Sequence, residues 1–183
     1  MTRLFRFGGY FASIVLILFG IGAAVLGTLG FLEVRDTIAQ ESITATPDAA
    51  EIEGVNLEPG QEIRTGGEAK EFAEIIRSHA LEATGGRAFA EIPRYITETG
   101  EETDDEAAAA TTEEGRPVEN PVRGIWNTAT AFTTALNTAY LAEQIALFTI
   151  AMGVALVLVG IGFLVLTIAA LRGPVFERHR DTT

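Results

Sequence analysis

The chain contains two long apolar runs without a charged side chain, and these constrain the fold more than any other feature. The first covers residues 8–32, and the second covers residues 144–171, which begins with Gln144. About 20 apolar residues suffice to cross the hydrocarbon core of a bilayer as a helix. The core of a secretory signal is shorter, so we interpret the first run as a retained signal anchor. The rival interpretation is a cleaved signal peptide.

Both apolar runs are predicted to continue as helix beyond the membrane. Asn120 is suited to an N-cap and Pro121 to the first helical position, and no proline follows up to Arg172. A single helix over 121–172 is roughly 78 Å long at about 1.5 Å per residue, which exceeds the membrane thickness. The spacing of Val34 and Ile38 likewise extends the first helix by two turns, to about Glu41. We expect residues 121–144 to form a stalk that leaves the membrane.

The positions of arginine near the ends of the runs predict the orientation. Arg3 and Arg6 precede the first run, and three arginines follow the second: Arg172, Arg178 and Arg180. Since lysine and arginine favour the cytoplasmic side, residues 1–7 and 172–183 are predicted to be cytoplasmic tails. Residues 33–143 carry 23 acidic and 8 basic side chains and are predicted to lie outside the cell. The predicted location is the plasma membrane.

The intervening segment contains one clear amphipathic helix, at residues 66–84. Thr65 and Glu68 have the spacing of a capping box, and Gly85 with Gly86 supplies a C-terminal stop. Its apolar stripe consists of Ala69, Phe72, Ala73, Ile76, Ala80 and Ala83. We expect this stripe to pack on the helical extensions. Residues 44–67 are predicted to be irregular, and the short apolar stretch 87–96 to pack under the helix.

Residues 97–120 are rich in acidic, threonine and alanine residues and offer little to bury. Such a composition does not offset the entropy cost of ordering, so a flexible acidic loop is predicted. A cation site at Asp104, Asp105 and Glu106 is the alternative, but the ligand pattern of an EF-hand is missing. The chain also has no cysteine, which excludes disulfides and thiolate metal sites.

Small residues recur every seven positions in both apolar runs. They are Ser13, Gly20 and Gly27 in the first helix, and Ala139, Ala146, Gly153, Gly160 and Thr167 in the second. Small residues permit close helix packing in lipid, so we predict that these two stripes face each other. The alternative is that these glycines are scattered, as they often are in spanning helices. The predicted fold is an all-α membrane protein, an antiparallel two-helix transmembrane hairpin extended into a small helical extracytoplasmic domain.

Several stretches resemble a family of small two-pass membrane proteins of actinobacteria. The most specific is the pattern I-I-x-x-H-A-L-E-x-x-G-G over residues 75–86, followed by the W-N-T-A-T-A-F-T-T-A-L-N-T-A-Y-L-A-E-Q entry to the second run. The family circulates under the automatic name "aromatic ring-opening dioxygenase LigA". The resemblance covers most of the chain except the acidic loop, and it implies the two-pass topology.

Ring-opening chemistry of the extradiol type uses iron held typically by two histidines and a carboxylate. His79 and His179 are predicted to lie on opposite sides of the bilayer, so they cannot share one iron within a chain. Neither catalytic residues nor a metal or cofactor is therefore predicted. The ionisable residues of a transporter are also missing from both runs.

The remaining interpretation is a non-catalytic accessory or scaffold subunit at the cell envelope, with a protein partner or a homo-oligomer and no nucleic acid. The candidate interaction residues are His79, Phe72, Ile76, Trp126 and Tyr140. His79 is interpreted either as a pH-sensitive contact or as a packed, hydrogen-bonded histidine. The alternative function is an extracytoplasmic sensor of a small ligand or an envelope-stress module.

Overall fold

The computed structural model describes the backbone of residues 2–171 and the side chains of residues 7–170. It is mostly helical, with α1 at Thr2–Gln40, α2 at Gly66–Ala83 and α3 at Pro121–Leu171. Two short strands, β1 at Tyr95–Ile96 and β2 at Glu102–Thr103, form an antiparallel pair. The tail arginines Arg172, Arg178 and Arg180 and the residue His179 lie outside the described residues, as do the side chains of Arg3 and Arg6.

The chain divides into two compact units. The first, called here the helix pair, comprises the described parts of Met1–Glu33 and Glu143–Thr183. The second, called here the head unit, comprises Val34–Ala142. The helices α1 and α3 each contribute residues to both units.

Within the helix pair, the two apolar helices pack through their smallest residues. A Cβ placed on Gly20 would lie 2.6 Å from the carbonyl oxygen of Gly153, and one on Gly160 would lie 3.0 Å from that of Ser13. Gly27 similarly meets the carbonyl oxygen of Ala146 at 3.0 Å. Contacts that advance along α1 therefore move backward along α3. Six residues of the predicted stripes are buried at this contact, and the other two, Ala139 and Thr167, are half-buried.

The large apolar side chains of the helix pair point outward. Phe11 is 62% exposed and Phe148 is 66% exposed, while the buried positions of the two apolar runs carry glycine, alanine and serine. Soluble proteins bury their large apolar residues, so this distribution is the reverse of theirs. Both helices are long and apolar enough to cross a membrane.

The head unit has two small apolar cores, one toward each end of α2. The first includes Ile63, Ile75 and Ala49, each completely buried, and Ile38 and Leu136 from the longer helices. The loop over 43–63 contributes much of this core and is tied together by the Thr44–Glu62 bridge. The buried members of the second core are Ala80, Ile92, Trp126 and Ala129.

The helix α2 begins and ends with the predicted signals. The Thr65 hydroxyl accepts a hydrogen bond from the Glu68 N–H at 3.1 Å, and the Glu68 carboxylate accepts one from the Thr65 N–H at 2.9 Å. Gly85 and Gly86 follow the helix with φ angles of +67° and +79°. Glycine adopts such angles without the steric cost that other residues incur. The capping box and the glycine stop are therefore confirmed.

Residues 97–120, predicted to be a flexible acidic loop, take part in several short backbone pairings. The β1–β2 pair, the Tyr95–Glu119 bridge and the Thr111–Pro117 bridge give this segment a defined backbone. The Arg87 guanidinium also holds the Glu102 carboxylate with two hydrogen bonds of 2.5 and 3.1 Å. Backbone hydrogen bonds and charge-assisted contacts thus connect a segment that buries few apolar residues. Composition does not reveal such pairing.

Candidate functional site

The head unit contains an apolar groove of about 1330 Å³. Its walls come from the end of α1, one face of α2 and the first half of α3. The lining side chains are mainly apolar and include Ile38, Phe72, Ile76, Ile125, Phe132 and Leu136. Thr37, Glu41, Thr128 and His79 are among its polar members. The groove therefore offers an apolar surface with a few polar groups.

The sequence of α3 explains why one side of this helix is left uncovered. Trp126, Ala129 and Leu136 point into the two cores and are buried. Ile125 and Phe132 line the groove beside Ala129 and Leu136, and they are 37% and 59% exposed. The helix α1 ends at Gln40, and the chain then turns through Ser42 at a φ of +49°. Because α1 ends there, it does not cover the first part of α3, and the apolar side chains of α3 form one wall of the groove.

A hydrogen-bonded histidine and carboxylate stand at the edge of the groove. His79 Nε2 lies 2.7 Å from Asp48 Oδ2, and both side chains are partly exposed. Hydrogen bonds from Thr46 and His79 lower the pKa of Asp48 to about 2. The carboxylate therefore stays charged at neutral pH. His79 is therefore hydrogen-bonded, with Asp48 as the partner that the sequence did not reveal.

The structure brings three of the five interaction candidates together. His79, Phe72 and Ile76 all line the groove along one face of α2. Trp126 does not: it is 7% exposed, and its indole N–H donates to the Arg87 carbonyl oxygen at 3.0 Å. Tyr140 lies under the Lys70 ammonium, 5.0 Å from the ring centroid, and outside the groove lining. The burial of Trp126 assigns it to the core, because an indole with an apolar body and a satisfied N–H packs well there.

Two groove residues, Ile125 and Phe132, were not among the candidates. A signal for them exists in the sequence, since 125, 132 and 139 continue the seven-residue spacing of Ala146, Gly153 and Gly160. The predicted stripe begins at Ala139, where the small residues begin, and therefore does not include these two larger residues. Large apolar residues on the same line of the helix indicate an apolar surface as well.

The chemistry of the groove is that of binding apolar surface. Over residues 7–170, no group of three or more histidine, cysteine, aspartate or glutamate side chains is placed to hold a metal ion. Two of the three acidic residues of the alternative cation site have local partners: Asp104 accepts the Arg94 N–H and Asp105 accepts the Ala107 N–H.

Comparisons with known proteins assign the chain to no family. No family model, no curated protein and no solved structure matches it.

Proposed function

We propose that this chain is a two-pass membrane protein that acts as a non-catalytic accessory or scaffold subunit. In this proposal the spans are residues 8–32 and 144–171, they run antiparallel, and both tails are cytoplasmic. The head unit then lies outside the cell and presents its groove to a protein partner. The outward-facing large apolar side chains of the helix pair support insertion in lipid, because no described part of that unit covers them.

The observation that carries the interaction role is the uncovered apolar groove of the head unit. Phe132 exposes 59% of its surface there, beside Ile125, Phe72 and Ile76. A contiguous exposed apolar patch of this kind, on a surface that is otherwise polar, is typical of an interaction site. The head unit has two cores of its own, so the groove is not required to complete its folding.

One observation favours the alternative of a small-ligand sensor. The His79–Asp48 pair provides a fixed polar group at the edge of an apolar space, as in many small-molecule sites. Such sites usually enclose about 300–1000 Å³. The groove is larger, at about 1330 Å³, and its side chains are substantially exposed. A protein surface fits these dimensions better than a small molecule.

The topology is tested by labelling a chain that naturally contains no cysteine. A Glu113→Cys variant carries its thiol at an exposed position of the head unit. A membrane-impermeant maleimide is expected to label it in intact cells. Labelling only after lysis contradicts the proposed orientation.

The interaction role is tested by purifying the full chain in mild detergent. Ala135 lines the groove, while Ala131 is an exposed alanine of the same helix that does not. A stoichiometric partner is expected with the unmodified chain and with Ala131→Arg, and is expected to be lost with Ala135→Arg. A monodisperse chain without a partner, whose melting temperature rises with a small ligand, supports the sensor instead.

A further inference from the structure

We propose that the groove binds an amphipathic α-helix of a protein partner, and that lysine or arginine residues flank the apolar stripe of that helix. This inference rests on the proposed interaction function and specifies the partner's chemistry. It follows from the shape of the groove and from the charges around it.

The groove has the dimensions of a helix-binding site. Its α3 wall runs from Pro121 to Ala139, which at 1.5 Å per residue is about 27 Å, or roughly five helical turns. The α2 wall presents Phe72, Ile76, His79 and Ala83 at helical spacing. Two helical walls with apolar positions three, four and seven residues apart match the pattern with which a third helix interdigitates.

The α3 wall also allows a close approach. Gly124, Thr128 and Ala135 are small, and a Cβ added to Gly124 would meet nothing within 4 Å. Phe132 stands between them as the largest exposed side chain of this wall. Alternating large and small side chains provide the ridges and depressions that hold a partner helix in one register.

The charges around the groove indicate a basic partner. Among the described residues that line the groove, none is lysine or arginine, whereas Glu41 lines it and is exposed. Asp48 holds His79 at the edge, and Glu82 is exposed beside the lining residue Ala83. Lysine or arginine beside the apolar stripe of a partner complements these carboxylates.

Two neighbouring arginines lie against aromatic rings outside the groove lining. The Arg77 guanidinium lies over the Trp126 ring, 5.9 Å from its centroid, and that of Arg123 lies over the Phe89 ring at 4.0 Å. Trp126 and Phe89 are not part of the groove lining. The head unit as a whole carries 21 acidic and 8 basic side chains. This excess disfavours both an anionic lipid and a second acidic copy of the head unit as occupants.

The test measures peptide binding to the full chain in nanodiscs of a zwitterionic lipid. Three helical peptides of about 18 residues match the groove length at 1.5 Å per residue. The first has a leucine stripe flanked by lysine, the second has the same stripe flanked by glutamate, and the third keeps the lysines but replaces leucine with glutamine. Fluorescence anisotropy of a dye on each peptide reports binding.

The lysine-flanked leucine peptide is expected to bind at least about tenfold more tightly than either other peptide, since several weak exposed charge pairs add to the apolar contact. Its affinity is expected to fall when salt rises from about 0.05 to 0.5 M. Ala135→Arg is expected to abolish binding, and Ala131→Arg to leave it unchanged. Gly124→Leu provides a second blocking variant that the free protein accommodates, because the space beyond Gly124 is open.

Other results overturn the inference in distinguishable ways. Equal binding of the lysine and glutamate peptides removes the charge preference, and equal binding of the glutamine peptide shows that only charge attracts it. If no peptide binds but a partner co-purifies with the unmodified chain and not with Ala135→Arg, the inference of a helical partner is wrong and the interaction role stands. If no partner co-purifies either, both proposals fail. The chain could instead retain a lipid stoichiometrically or form a dimer. If Ala135→Arg removes that lipid or dimer, the groove has another occupant and the inference is refuted.

Discussion

The close contact between Gly20 and Gly153 predicts that a larger residue at either position weakens the packing of the helix pair. Replacing Gly153 with alanine adds a single methyl group, whose carbon would lie 2.5 Å from the Ala24 nitrogen and 2.6 Å from the Gly20 carbonyl oxygen. Both neighbours are backbone atoms, so no side chain can rotate away. Gly162 provides a matched control on α3, because a Cβ there meets nothing within 4 Å.

The size of the effect follows from these distances. Ordinary contacts of a Cβ begin near 3.4 Å, so the two helices must separate by about 1 Å at Gly153. A gap of about 0.5–1 Å forfeits a quarter to a half of the attraction of each affected atom pair. Overpacking of this kind costs about 1–3 kcal/mol. At Gly162 the same change is expected to be neutral, or to stabilise the helix by up to about 1 kcal/mol.

The assay follows separation of the helices directly. Ala12 and Val165 are exposed positions near the same end of the helix pair, where Gly9 meets Thr167. Since the chain has no cysteine, Ala12→Cys and Val165→Cys can carry a donor and an acceptor dye. Energy transfer during titration with a denaturing detergent then gives the stability of the packed helices. We expect Gly153→Ala to lower it by about 2 kcal/mol relative to Gly162→Ala, which is roughly thirtyfold in the equilibrium constant.

A second matched pair lies on α1. A Cβ on Gly20 would lie 2.6 Å from the Gly153 carbonyl oxygen, whereas one on Gly22 meets nothing within 4 Å. Gly20→Ala is therefore expected to weaken packing and Gly22→Ala to leave it intact. The double variant at Gly20 and Gly153 is expected to cost less than the sum, because one separation relieves both clashes. Equal effects of the buried and the open glycine substitutions would refute the packing argument.

Three further predictions concern the head unit, and the first two use the fluorescence of Trp126, the single tryptophan, during thermal unfolding. Thr65→Ala removes one half of the capping box and is expected to cost about 1 kcal/mol, whereas Thr134→Ala on an exposed part of α3 is expected to have little effect. Because the pKa of Asp48 is lowered from 3.8 to about 2 in the folded protein, its stabilising contribution is present above pH 4 and lost as the pH falls toward 2. The stability difference between the unmodified chain and Asp48→Asn should shrink over that range, and a constant difference contradicts the assignment. The Arg87 guanidinium lowers the pKa of Glu102, so Glu102→Gln is expected to speed amide exchange in residues 97–120. The difference in exchange rate between the variant and the unmodified chain is expected to vanish in high salt. Unchanged exchange means that the ion pair does not order this segment.

Much of the fold was predictable because its signals are local. The extent of α2 follows from Thr65, Glu68 and the glycine pair, which act within a few residues of themselves. The start of α3 at Pro121 follows equally from local rules, with the Asn120 side chain accepting the Val122 N–H at 3.0 Å. Contacts within one helical turn are encoded in adjacent letters, so pattern alone suffices for them.

The parts that the sequence did not reveal depend on residues far apart in the chain. Asp48 and His79 are 31 positions apart, and Arg87 and Glu102 are 15 apart. Neither pair lies on one element, so no periodicity predicts it. The assignment of Trp126 to the core similarly depends on the Arg87 carbonyl, 39 positions away. The groove was missed for the same reason, since its walls come from three separated segments.

One line of positions on α3 links the predictable and the unpredicted features. Positions 125, 132, 139, 146, 153 and 160 are seven apart, and the residues on them change from isoleucine and phenylalanine to alanine and then glycine. In water, covering a large apolar residue with a partner lowers the free energy. In lipid this driving force is missing, and close backbone approach through glycine stabilises packing instead. The change in residue size along this line is therefore what the proposed arrangement requires, with a water-exposed docking surface at Ile125 and Phe132 and a lipid-embedded contact at Gly153 and Gly160.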